Sequence, residues 1–360
     1  MAALDRFHGR RAAVIENQAL RIAVLEGGGH IASVLDKATG VSPLWVPPWP
    51  SIEPSEFGAA AHAVYGDGAD GRLLAAIMGH NLCLDIFGGP SDEEAAAGLT
   101  AHGEGSVAPY ELSGMPTQVI ARAQFPLAQL AFERTIDLID RTVRVREVVT
   151  NVSGTDRPVA WTQHVTLGPP FLERGLTEFH ASATRSSVIG GSFGAGDYLR
   201  AGADFDWPEA PGRDGSTIDL RRYIDRPSSS AYTAHLMDQS QRDAFFVAFS
   251  PSARLAFGYV WRAADFPWMG IWEENCSRTH TPWNGVTVTR GMEFGVSPFP
   301  ESRRAMIERG RWFDVPTFRW IPARTAVEVE YWIICHPADR IPEQLERPAS
   351  GQAVSPGPLR

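Results

Sequence analysis

The sequence predicts an all-β protein, built as one large antiparallel β-sandwich with few short helices. Three observations carry this. Apolar and polar residues alternate over many short stretches, turn residues separate those stretches, and no long amphipathic helix interrupts them. The chain of 360 residues is 44% hydrophobic and 21% charged, with ample apolar material for a core of that size.

The strand elements follow in order. Residues 12–36, AAVIENQALRIAVLEGGGHIASVLD, read as three short strands with turns at Glu16–Gln18 and Gly27–Gly29. The triple glycine lacks the strand–GxGxxG–helix setting of a phosphate loop and reads as a turn. Residues 46–72 are rich in Pro, Gly and Ala and read as loops. In GGPSDEEAAAGL, 88–99, Ser91 and Glu94 form the signature of a capping box, so one short helix is expected there. The alternation over 129–150 predicts a long hairpin, and further strands are expected near 159–167, 245–261, 268–274, 286–297 and 327–335. The stretch 190–230 is rich in Gly, Ser and Asp and reads as an irregular excursion. One domain over 1–336 and a loose Pro-rich tail over 337–360 are expected.

Composition narrows the function. The net charge of −9 disfavours a nucleic-acid partner, which needs basic patches. Cys83, Cys276 and Cys335 fit no metal or redox spacing, and an odd count argues against a full disulfide framework. The N-terminal residues hold no apolar segment of the kind a signal peptide carries, and no run is long enough to span a membrane. A reduced, cytoplasmic setting is the expectation.

Chemistry enters through the polar faces. In VAWTQHVTL, Val159, Trp161, Val165 and Leu167 share one face, with Gln163 as an exception, while Ala160, Thr162, His164 and Thr166 share the other. In VTVTRGMEFGVSPFP, Val286, Val288, Met292, Phe294 and Val296 share one face, with Arg290 as an exception. Thr287, Thr289, Gly291, Glu293, Gly295 and Ser297 share the other. A carboxylate and an imidazole thus project from polar faces among small neighbours. Such a face is either solvated or the floor of a groove. Two upstream stretches supply further candidates: His80 and Asn81 lead into an apolar run, and His102 and Glu104 lie in HGEG. Trp272 or Trp283 could form a flat platform for a sugar ring; Trp272 shares parity with Glu274, so its face is at least partly polar, and Glu274 is a rival carboxylate to Glu293.

These segments resemble the aldose 1-epimerase, or galactose mutarotase-like, superfamily in one of its divergent branches. The likeness runs through IENQALRIAVLEGGGHIASVLDKATGVSPLW, LCLDIFGGP with the later HGEG, WTQHVTLGPPFLE and RGMEFGVSPFPES. It implies a supersandwich fold and the interconversion of α and β anomers of a sugar, with no cofactor. On that likeness Glu293 is the base, His164 the acid serving the ring oxygen, and His102 a hydrogen-bond partner of the substrate. Arg72, His80, Glu104, Trp272 and Glu274 are the accompanying substrate-binding candidates. The chain departs from the pattern after its second histidine, where Val165-Thr166-Leu167 stands. Two other readings remain open: a carbohydrate-binding sandwich without turnover, and a hydrolase or lyase using Glu274 with Glu293, since hydrolases place two carboxylates roughly 5–10 Å apart. The expected partner is a small carbohydrate, not nucleic acid or membrane, and the expected assembly is a monomer or homodimer.

Overall fold

A computed structural model describes residues 3–66 and 68–347. Strands make up 47% of the chain and helices 7%. Two antiparallel sheets face each other. The front sheet has twelve strands among the described residues, and its central ones run Ile31–Asp36, His80–Asp85, Arg157–Leu167, Val288–Gly295, Trp268–Asn275 and Ser229–Met237 in spatial order. The back sheet has eight, built around Ala326–Pro337 and the hairpin Leu130–Ile139 with Thr142–Asn151. All of the named pairings are antiparallel, as expected for strands joined by hairpins and longer loops.

The predicted strands form at their predicted places. The three N-terminal ones lie at Arg10–Glu16, Leu20–Leu25 and Ile31–Asp36. The short helix is Asp92–Ala96, with the Ser91–Glu94 capping box made in both directions. One strand starts later than expected: Val288 is its first residue, and Val286 is 59% exposed in the preceding loop. The excursion over 190–230 holds three-residue strands, among them Glu209–Pro211 paired with Thr217–Asp219. The strand Ser229–Met237 then follows, and it is not among the expected ones. Each of its nine residues is buried, so it shows no alternation to read.

The space between the sheets is the main core. Val159, Trp161, Val165, Leu167, Met292 and Phe294 all pack there, as their parity predicts. The two exceptions to that parity have partners of different kinds. Gln163 joins a buried polar network. Its Nε2 donates to Glu147 at 2.7 Å, and Glu147 also accepts from Trp161 at 2.9 Å, Tyr331 at 2.9 Å and Arg134 at 2.8 Å. A fully buried carboxylate is tolerated here because its charge is opposed by Arg134 and its oxygens are filled by donors. Arg290 lies over the ring of Phe179 at 4.3 Å, opposite Glu273 in the ladder.

Beyond the main strands, Ile341 and Leu345 pack on the outer face of the back sheet, and Arg347 reaches Asp243 at 2.6 Å. The remainder of the Pro-rich segment lies outside the described residues. None of the described helices is long and apolar enough to cross a membrane.

The outer face of the front sheet is covered by loops. Over it sits a second cluster rich in aromatic rings, including Trp45, Trp49, Phe87, Tyr232, Trp272 and Trp283. The face that carries His164 and Glu293 is therefore neither core between sheets nor open surface. It floors a cavity.

Candidate active site

The cavity measures about 450 Å³ and is lined in part by Phe87, His102, His164, Trp272, Arg278 and Glu293. That volume falls within the roughly 300–1,000 Å³ of small-molecule sites.

Its floor is set by strand pairing. His164 and Glu293 stand opposite each other in adjacent strands, and Gly270 stands opposite Glu293 on its other side. Nε2 of His164 lies 3.0 Å from Oε1 of Glu293. The contact is close but poorly aligned as a hydrogen bond, so Oε1 stays buried without a satisfied partner. Nδ1 of His164 is 3.1 Å from the hydroxyl of Thr166, which fixes the ring. Only 2% of Glu293 is exposed.

Small neighbours make this possible. At Gly291 a Cβ would come 2.5 Å from Oε1 of Glu293, so the carboxylate folds into space that only glycine leaves. The glycine beside the mid-strand carboxylate is thus explained by the carboxylate itself.

His102 enters from a loop at φ 65°, followed by Gly103 at φ 76°. Its Nδ1 accepts from the backbone N–H of Gly88 at 3.1 Å, which leaves the proton of the neutral ring on Nε2. The ring meets His164 edge-on at 5.0 Å between centroids and stacks on Phe87 at 5.8 Å. Trp272 closes the other side of His164 at 5.7 Å.

Burial dominates the electrostatics. It raises the Glu293 carboxyl well above the ordinary carboxylate range. It holds the His164 imidazole well below its ordinary value, with His102 adding to the effect. His102 is lowered to about 4 by burial alone. Both shifts favour a neutral carboxyl beside a neutral imidazole, and a proton passed from Glu293 to His164 leaves the net charge of the pair unchanged.

The five binding candidates divide. Trp272 lines the cavity. The other four do not. His80 pairs with Val165 in the ladder and so points inward, to Gln163 at 2.9 Å and Tyr259 at 3.1 Å. Glu104 accepts from the backbone of Ala128 at 2.9 Å. Arg72 is exposed on the one-turn helix Gly71–Leu74. Glu274 faces the same side as Trp272 but is occupied. It accepts from Ser277 N and Oγ at 2.7 Å each and from Arg278 N at 3.0 Å. A base needs a free lone pair, and Glu274 has the weaker claim.

Tyr232, Phe193 and Arg278 are among the lining residues that escaped the sequence reading. Tyr232 sits on the strand that shows no alternation, and its hydroxyl donates to Pro298 O at 3.0 Å. Phe193 and Arg278 lie on loops, where periodicity gives no signal.

The two-sheet antiparallel sandwich is the galactose mutarotase-like fold. Solved structures bear this out. A Klebsiella pneumoniae protein provisionally described as an aldose 1-epimerase superposes with a TM-score of 0.64 at 13% identity, over 92% of this chain and 80% of that one. A galactose mutarotase-like protein from Clostridium acetobutylicum gives 0.60 at 12% identity, over 94% and 98%. A galactose mutarotase related enzyme from Lactobacillus acidophilus gives 0.57 at 13%, over 92% and 99%. No protein-family model and no curated protein matches the sequence.

Proposed function

We propose that this chain is an aldose 1-epimerase-like isomerase that interconverts the α and β anomers of a sugar. The observation that carries this reading is the 3.0 Å approach of His164 Nε2 to Glu293 Oε1 on the floor of a sugar-sized cavity. Ring opening needs one proton removed from the anomeric hydroxyl and one delivered to the ring oxygen. In this reading a proton first passes from Glu293 to His164; Glu293, then a carboxylate, takes the first, and His164, then an imidazolium, gives the second. The O5–C1 bond breaks, the C1–C2 bond rotates, and reversal of both transfers closes the other anomer. The pair carries the same number of protons before and after. Nε2–H of His102 donates to a sugar oxygen and Trp272 presents a flat apolar wall, both consistent with a carbohydrate ligand.

The test is anomer exchange followed by NMR over a panel of aldoses. Acceleration by the wild type is expected, with a loss of about 10²–10⁴-fold in Glu293→Gln, the usual contribution of one positioned acid or base. Sugar binding without acceleration would instead make the chain a carbohydrate-binding sandwich. A Glu293→Gln variant with full activity would move the base elsewhere.

A further inference from the structure

At the cavity wall, Arg278 is held on one edge and stacked among rings. Its Nε lies 3.5 Å from Oε2 of Glu274, whose oxygens are also filled by the backbone of Ser277 and Arg278. The guanidinium carbon sits 4.6 Å from the ring of Trp283, 5.6 Å from Trp272 and 5.9 Å from Phe193. Glu274 thus occupies the Nε edge and leaves the two terminal nitrogens for a ligand. A planar fork held this way donates to two adjacent acceptors at once.

The charges around it matter. Glu274 offsets the arginine, and Asp70, at the cavity rim, adds a second negative charge. Glu293 and His164 together contribute no net charge when they share one proton. Among the described lining residues no second Arg or Lys appears. An anionic sugar would therefore enter a cavity of net negative charge. A neutral one would find a preorganised donor fork beside aromatic walls.

We propose that Arg278, clamped by Glu274 and flanked by Trp272, Trp283 and Phe193, orients the substrate by donating to adjacent hydroxyls of an uncharged sugar. The site therefore selects against phosphorylated and carboxylated sugars. This rests on the sugar-isomerase reading and deepens it. Arg278 is a specificity residue of the same cavity, set over Trp272, whose ring also borders His164.

The experiment uses the full chain with D-glucose, D-galactose, D-glucose 6-phosphate and D-glucuronate as probes. Binding is read by quenching of tryptophan fluorescence and turnover by NMR anomer exchange. A free hexose is expected to bind and turn over in the wild type, with both charged sugars at least tenfold weaker. Arg278→Met is expected to raise KM at least tenfold while lowering kcat less, and Arg278→Lys to fall between. Asp70→Asn is expected to narrow the gap between glucose and glucose 6-phosphate severalfold. Circular dichroism confirms that each variant is folded. If the wild type prefers a charged sugar, or if folded Arg278→Met and Arg278→Lys both keep the wild-type KM, this inference falls while the isomerase reading stands. If no probe binds or exchanges in the wild type, both fall together.

Discussion

His164 and Glu293 face each other across one rung of the front sheet, with Nε2 and Oε1 3.0 Å apart in a nearly water-free floor. The price of that position is paid in stability. Burial raises the Glu293 carboxyl well above its ordinary range, so the folded protein favours its neutral form. Its contribution to stability is complete below the unfolded value, about 4.3, and is lost as pH rises from there through the folded value.

Glu293→Gln, which cannot ionise, is therefore expected to be more stable than the wild type, with a gain that widens as pH rises. The slope of that difference reaches at most about 1.4 kcal/mol per pH unit. Urea midpoints at pH 4.5, 6 and 7.5 measure it. A difference that is flat or shrinks with pH would contradict the burial argument.

Gly291→Ala tests the space beside the carboxylate. The added methyl would lie 2.5 Å from Oε1 of Glu293 and 3.2 Å from Cβ of Trp272. The carboxylate has to move, so anomer exchange is expected to fall at least tenfold, with a stability cost of about 1–3 kcal/mol from overpacking. Unchanged exchange in a folded Gly291→Ala protein would show that the carboxylate position is not critical.

The buried histidines set the acid limit of the fold. Burial lowers His102 to about 4 and lowers His30 and His235 to about 3. In the unfolded chain such groups take up protons near pH 6.5. Between those values the unfolded state binds more protons, so stability falls as pH drops below about 6.5. Each such histidine adds up to about 1.4 kcal/mol per pH unit. Thermal melts from pH 7 to pH 4 should show a steady decline, and His235→Asn, if folded, should flatten it. A pH-independent melting temperature across that window would refute this account.

Behind the site, Glu147 collects donors from Arg134, Trp161, Gln163 and Tyr331. Trp161 and Gln163 both precede His164 on its own strand. Glu147→Gln leaves Arg134 buried without a counter-charge and is expected to cost about 3–5 kcal/mol. Chemical denaturation measures this. A loss under 1 kcal/mol would mean that the network is replaceable.

Particular residues show what the sequence made legible. Alternation placed His164 and Glu293 on the covered face because each strand has one apolar side toward the opposing sheet. The same alternation would have removed His80 from the candidates, since it pairs with Val165 on the inward face. That pairing becomes visible only once the register of two distant strands is known. Ser229–Met237 hid because both of its faces are buried, and with it Tyr232. Arg278 hid because it lies past the end of the strand Trp268–Asn275, in a loop without periodicity, where Glu274 and the rings of Trp272, Trp283 and the distant Phe193 fix the side chain. Faces are local information; convergence of loops over a face is not.

Because His164 and Glu293 are rung partners, their separation is set by the spacing between hydrogen-bonded strands, about 4.7–4.9 Å, and not by any loop. The sheet acts as a ruler for the pair. Loops above it can lengthen, exchange their aromatics or change their charge without altering that measure. A single-residue insertion within either strand would turn one partner over into the core and end the pairing. Evolution on this scaffold is accordingly free to rewrite which ligand is held, while a frame-shift of one position in two short strands would silence whatever chemistry the pair performs.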